Sequence, residues 1–238
     1  MPLIAGQTDF QIVPSFYKKP LINLLMRVFF INFCYRIKMF RTNQLIIIGG
    51  PSAVGKSTFI NRMKKEKLSP LLNHIPVSKP KDFLSLDAVD LAGIHKSFID
   101  RLILHYDFIY QSSPQERFPY LSNLIKNSNS THIITLCAES ALLSNRISAR
   151  LERISNIYPP RIKRNEYLHK IKKIYDNQKK LLELFKRWAE YFEEYEIASH
   201  IIIDSSRNYC STWFRDTNEA IHILADILAG QKLTKRCN

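Results

Sequence analysis

The stretch LIIIGGPSAVGKSTF, residues 45–59, constrains the fold of this chain more than any other. Leu45–Ile48 is an uninterrupted apolar run, as expected of a strand buried on both faces. It ends in Gly49-Gly50, turns through Pro51-Ser52, and reaches Gly55-Lys56-Ser57-Thr58. The chain has only six glycines, and three of them are here. The spacing Gly50-x-x-x-x-Gly55-Lys56-Ser57, with a strand before it and a helix after it, is that of a phosphate-binding loop. Several backbone N–H groups must converge on a polyphosphate, and glycine permits the tight curl and close approach. The helix that starts near Gly55 turns its positive end and free N–H groups toward the anion. Lys56 is placed to neutralise the outer phosphate oxygens, and the Ser57 hydroxyl to enter a Mg²⁺ shell. The expectation is therefore that Gly50, Pro51, Ser52, Ala53, Val54, Gly55, Lys56, Ser57 and Thr58 bind a nucleoside triphosphate, with ATP and Mg²⁺ as cofactors.

The remaining sequence alternates short β-forming runs with helical periodicity. Lys56 to about Lys67 reads as a helix, and Asp82–Asp87 and Arg101–Asp107 as strands, with a helical turn around Leu91–Asp100. The segment FPYLSNLIKNS reads as a helix that ends in the polar stretch Asn127–Ser130. Thr131–Leu136 is a fourth strand. Ser140 to about Ile154 and Glu166–Glu196 are long amphipathic helices, and His200–Asp204 is a fifth strand. A last helix, capped by Thr217 or Asn218, runs to Leu228 and stops at Gly230. This predicts a three-layer α/β domain over residues 43–230, with a five-stranded, mainly parallel sheet. Residues 1–42 form an apolar and basic extension and residues 231–238 a basic tail.

Composition is that of a folded chain, 45% hydrophobic and 24% charged. The net charge is +14, and residues 141–190, with 13 Lys/Arg against 5 Asp/Glu, carry +8 of it. Such a cluster reads either as a solvated helical face or as a polyanion site for nucleotide phosphates or a nucleic-acid backbone. The four cysteines are widely spaced. They suggest neither a disulfide framework nor a zinc site, so a cytoplasmic location is expected. Residues 21–37 are apolar, but Asn23, Arg27 and Asn32 interrupt them, too often for a membrane span. An accessory helix, weak membrane-surface contact, or a start of the coding sequence at Met39 all stay open for this segment.

The run GPSAVGKST resembles the phosphate loop of guanylate kinase and of other nucleotide and nucleoside kinases. The likeness is close over the loop. Elsewhere it is one of element sizes and an Arg-rich segment after the fourth strand. Guanylate kinases carry a Ser/Thr-Thr-Arg-x-Pro-Arg segment that binds GMP, whereas this chain reads NHIPVSKPKDFLSLD. The resemblance is thus to the wider group of P-loop small-molecule kinases. Neither an LSGGQ-like signature nor an Asn/Thr-Lys-x-Asp run is present, which removes transporter ATPases and guanine-reading GTPases.

That resemblance implies a P-loop NTPase domain with a helical lid, and roles for particular residues. Asp107 ends an apolar strand where a Walker B carboxylate would help Ser57 hold Mg²⁺. Asp87 would bind or deprotonate the acceptor hydroxyl, with Asp90 as a second carboxylate; capping a helix is the competing role for both. His105 lies two residues before Asp107 and so on the same side of the strand. It would either touch the acceptor or be a hydrogen-bonded structural histidine. Arg146 and Arg150 share a helical face, and with Arg161, Lys163 and Arg164 they would form the lid, whose arginines contact the phosphates and exclude water. Lys56, Asp87, Arg146 and Arg150 are thus the candidate catalytic set. The expected activity is transfer of the γ-phosphoryl group of Mg-ATP to a small acceptor: a nucleoside, a nucleotide or another hydroxyl compound. A 5′-hydroxyl polynucleotide stays open as an acceptor. The alternative is a nucleotide-dependent ATPase or switch that acts on a protein partner.

Overall fold

The computed structural model describes residues 41–65, 80–87, 98–108, 121–155, 162–207 and 209–231. In chain order these give β1 (Arg41–Gly50), α1 (Lys56–Lys64), a 3-10 turn (Pro80–Asp82), β2 (Leu84–Asp87), β3 (Phe98–Asp107), α2 (Leu121–Lys126) and β4 (Ser128–Cys137). There follow α3 (Ser140–Ser155), α4 (Ile162–Tyr175), α5 (Gln178–Glu193), β5 (Ser199–Asp204), β6 (Cys210–Trp213) and α6 (Thr217–Leu228). Among the described residues, six strands form one sheet in the order β2-β3-β1-β4-β5-β6. All neighbouring pairs are parallel except β5 and β6.

β1 occupies the centre, and its residues from Leu45 to Gly50 are buried without alternation. Helices therefore cover both faces of the sheet, consistent with a three-layer α/β arrangement. The chain leaves β1 toward β3 on one side, and its later strands lie on the other. This is the kind of reversal that opens a crevice outside the carboxyl ends of the strands. Gly50, Asp107 and Thr135 all end up at that rim, since Gly50 is in register with Asp107 and Gly49 with Thr135.

The core beneath the rim is aromatic. Trp188 of α5 is buried, with its ring 4.7 Å from those of Tyr106 and Phe192 and 5.1 Å from that of Phe108. Its indole Nε1–H donates to Thr135 Oγ1 at 2.8 Å, and that hydroxyl is 2.8 Å from His200 Nε2. The one hydroxyl proton is thus available to Nε2, which completes a chain from α5 across β4 to β5. Gly49 has no side chain because none fits: a Cβ there would lie 2.2 Å from the Trp188 ring.

Several expectations are corrected. The sheet has six strands, not five. The extra one, β6, is a four-residue edge strand that pairs antiparallel with β5 after the turn at Ser205–Arg207, and its partly polar sequence CSTW lacks the apolar run of the others. The long helix expected over 166–196 is two helices. Asn177 caps α5 by accepting the Lys180 N–H at 3.1 Å, and the Asp176 carboxylate is taken by Ser144 and Lys172. Two adjacent short polar side chains satisfied in this way favour a cap over a continuous helix. The polar stretch at 127–130 does not end a helix loosely, because Ser128–Ser130 already belong to β4. Part of the expected helical turn, 98–100, is strand, and α1 stops at Lys64. The cap of α6 is Asp216, whose carboxylate accepts the Glu219 N–H at 2.9 Å. Among the described residues Cys137 is a free buried thiol. Among the described residues no helix is long and apolar enough to cross a membrane. Residues 1–40, Asp90, Arg161 and the tail from 232 lie outside the described residues, as do the side chains of Lys163 and Arg164.

Candidate functional site

The loop between β1 and α1 is built from both glycine and non-glycine backbone. Gly55 takes φ +105° at the N-terminus of α1, where a side chain would meet no atom within 4 Å, so glycine is required by conformation and not by space. At Gly50 the reason is steric: a Cβ would lie 2.6 Å from the Leu136 carbonyl oxygen. Ala53 adopts φ +66°, a left-handed conformation that costs a non-glycine residue about 1–2 kcal/mol. Something in the surrounding structure must hold it there.

Lys56 is 5% exposed and turns back over the loop. Its ammonium donates to the carbonyls of Gly50 and Pro51 at 2.8 and 2.9 Å and forms an ion pair with Asp107. Its three N–H donors therefore have three acceptors. Burial pushes the lysine pKa below its ordinary value, and the Asp107 carboxylate works in the opposite direction. Asp107 itself is about 42% exposed at the end of β3. Ser57 and Thr58 are exposed on the first turn of α1.

Beside this group lie Asp87 and His105, directly opposite one another in the β2–β3 pairing. Asp87 Oδ2 is 4.0 Å from His105 Nδ1, and the buried Nε2 of the same ring has no hydrogen-bond partner. Burial lowers the pKa of His105 and the nearby Lys56 charge lowers it further, against the pull of Asp107 and Asp87. The ring is therefore neutral near pH 7. Of the two readings left open for His105, its unpaired nitrogen argues against a fully hydrogen-bonded structural residue.

Arg146 of α3 also reaches the loop, but its guanidinium donates to the carbonyls of Ala53 and Val54 at 3.1 and 3.3 Å. Its immediate partner is thus the loop backbone. Arg150 is exposed one turn further on, close enough for its charge to act on both Lys56 and Tyr175. Arg153 turns away and donates to the Ala149 carbonyl of its own helix. The structure thus gathers Lys56, Asp107, Asp87, His105, Arg146 and Arg150 around one strand rim.

Two loop contacts were not anticipated. Tyr175, at the end of α4, donates its hydroxyl to the Ser52 carbonyl at 2.8 Å, and Ser205, just after β5, donates to the Val54 carbonyl at 2.7 Å. In the sequence Tyr175 reads as one more apolar-face residue of an amphipathic helix. The signal for Ser205 is only that it follows a strand whose end lies at the rim.

The donor set suits magnesium better than a self-sufficient metal centre. Among the described residues no group of three or more His, Cys, Asp or Glu side chains is placed to hold a metal. Asp107 and Ser57 offer two hard oxygens beside the glycine loop, and Mg²⁺ characteristically takes one or two protein oxygens together with phosphates and water. Two concavities lie elsewhere among the described residues. One, of about 430 Å³, is lined by Ile174, Asn177 and Leu184 between α4 and α5; the other, of about 480 Å³, is lined by Thr58, Asn61, Arg62 and Lys65 along α1.

No protein-family model matches the chain, and no curated protein matches it. Among solved structures, a chain from the molecular and structural characterization of the PezAT chromosomal toxin-antitoxin system of the human pathogen Streptococcus pneumoniae aligns with it. That alignment covers 94% of this chain and 92% of that chain, at 14% sequence identity and a TM-score of 0.48.

Proposed function

We propose that the chain is a P-loop kinase that transfers the γ-phosphoryl group of Mg-ATP to a small acceptor: a nucleoside, a nucleotide or another hydroxyl compound. The observation that carries the reading is the Lys56–Asp107 pair, closed over a glycine loop at the rim of a central parallel strand, with Asp87 and His105 next to it. A phosphate anchor, a carboxylate for a metal and a second carboxylate for an acceptor are what phosphoryl transfer asks of a protein.

When bound, Mg-ATP supplies the transferable group and the metal charge that spreads over its phosphate oxygens. The chain supplies position and electrostatics. Lys56 exchanges a carbonyl or carboxylate acceptor for a phosphate oxygen, and its shielding from water strengthens that contact. Asp107 and Ser57 would hold the metal. Asp87 would orient an acceptor hydroxyl and take its proton. The unpaired Nε2 of neutral His105 offers a second contact on the same side. Arg150, exposed beside Lys56, adds positive charge against an anionic acceptor or the transferring group. The excess positive charge of residues 141–190 favours acceptors that are themselves anionic.

The test is ADP release from Mg-ATP by the full chain, alone and with pooled nucleosides, nucleoside monophosphates, sugars or 5′-hydroxyl oligonucleotides. One pool is expected to stimulate release, and Lys56→Ala to reduce the stimulated rate by about 10²–10³-fold, the scale of losing one preorganised electrostatic contact. Slow release that no pool changes would favour the partner-driven switch instead. An absence of nucleotide binding would remove both readings.

A further inference from the structure

The five carbonyls of residues 50–54 are all engaged, and they divide by direction. Those of Gly50 and Pro51 accept from Lys56. Those of Ser52, Ala53 and Val54 accept from side chains of three separate elements: Tyr175 at the end of α4, Arg146 on α3, and Ser205 after β5. A trans peptide carries its C=O and the next residue's N–H on opposite sides. Drawing the carbonyls of 52, 53 and 54 toward the surrounding helices and strand end therefore aims the N–H groups of Ala53, Val54 and Gly55 the other way. The Val54 N–H is spent on a turn bond to Pro51 at 3.3 Å, while those of Ala53 and Gly55 make no backbone bond among the described residues. Two N–H groups are thus turned to the concave side of the loop, and Ala53 keeps its left-handed φ of +66° because its own carbonyl and both neighbouring ones are bound.

We infer that Tyr175 and Ser205 are positioning residues for a phosphate chain: they hold the loop's peptide units so that its N–H groups form an anion cradle before any ligand arrives. The inference rests on the phosphate-loop reading above. Tyr175 is suited to the task, being 3% exposed, with burial raising its phenol pKa well above the ordinary value, so that the hydroxyl remains a donor. Its own position is fixed, because the Ser140 hydroxyl donates to the Tyr175 carbonyl and Ser144 and Lys172 hold Asp176 beside it. The anchor is thus a fastened helix end. Its ligand class is a di- or triphosphate, recognised through backbone, with no requirement for a particular base.

The test measures the affinity of the full-length chain for Mg-ATP, Mg-ADP and inorganic tripolyphosphate by titration calorimetry, with melting temperatures in parallel. Tyr175→Phe keeps the ring and removes only the hydroxyl; Ser205→Ala does the same at the second anchor. Each is expected to weaken all three ligands about five- to tenfold, the scale of one hydrogen bond, and by a similar factor for ATP and tripolyphosphate. The ligand-free melting temperature should change little. Equal affinity in wild type and both variants would overturn the inference, as would a loss confined to ATP that spares tripolyphosphate. If Tyr175→Phe melts early, Ser205→Ala decides. Lys56→Ala separates the two levels: if it binds Mg-ATP as tightly as wild type, the phosphate-loop reading fails; if it loses binding while both anchor variants keep theirs, the positioning inference fails alone.

Discussion

Gly49 offers the sharpest test of how the rim is supported. An alanine methyl there would lie 2.2, 2.6 and 2.7 Å from Cζ2, Cε2 and Cη2 of Trp188, well inside van der Waals contact. The indole has nowhere to retreat, since Tyr106, Phe108 and Phe192 surround it and its Nε1–H is held by Thr135. Overpacking a core of this kind costs about 1–3 kcal/mol, and displacing the indole from Thr135 removes a buried hydrogen bond worth about 1 kcal/mol. Gly49→Ala should therefore lose about 3 kcal/mol in urea unfolding, or roughly 6–12 °C of melting temperature for a domain of this size. Trp188→Phe removes the ring atoms that collide and should cost about 2–3 kcal/mol by itself, through the lost N–H and the void it leaves. The two changes touch, so they must couple. The double variant should be more stable than the sum of the single losses predicts, by at least about 1.5 kcal/mol. A Gly49→Ala loss below about 1 kcal/mol, or strict additivity in the cycle, would refute the account of Gly49 as a seat for the indole.

Other consequences follow from the same geometry. Gly55→Ala has free space around the new methyl but forces alanine to φ +105°, so it should lose about 1–3 kcal/mol in chemical denaturation. No truncation of a neighbouring side chain should restore the loss. Stability should also fall on mild acidification. Burial lowers the His200 pKa from 6.5 to about 3, so the unfolded chain takes up the proton first and acid favours unfolding. This contribution is complete above pH 6.5 and is lost as the pH falls toward 3. It removes up to about 2 kcal/mol by pH 5. His132, whose pKa burial also lowers, acts in the same direction. Replacing His200 with Gln and comparing urea midpoints at pH 7 and 5 should flatten the slope; an unchanged slope would show that the ring is not what acid attacks.

How much of this could be read without coordinates depended on distance along the chain. The strand, glycine loop and helix around Lys56 are contiguous, and their requirements are local: buried β-formers, a glycine able to take positive φ, a helix start. The sequence alone therefore marked that unit, and it marked five strands by their apolar runs. Local signals also placed Asp87 and Asp107 at strand ends. The sequence misjudged places where short polar residues had two uses. Asp176-Asn177 could have continued a helix and instead capped one, and Ser128–Ser130 could have ended a helix and instead opened a strand. The edge strand β6 carried no apolar run because it is paired on one side only.

Only the tertiary structure decided which of these elements meet. The order of the strands brings Asp107 beside Gly50 and leaves Asp87 facing His105, and no pattern within one strand encodes its neighbour. Arg146, Tyr175 and Ser205 converge on carbonyls about 90 to 150 positions earlier in the chain. Those contacts arise because crossover connections stack α3 and α4 against the rim and end β5 beside it. The glycine loop itself is written in nine consecutive residues. The walls that hold its peptide groups in place come from sequence that, read by itself, looks like ordinary helix face and strand end, because a hydrogen bond to a backbone carbonyl needs only a hydroxyl or guanidinium at the right point in space.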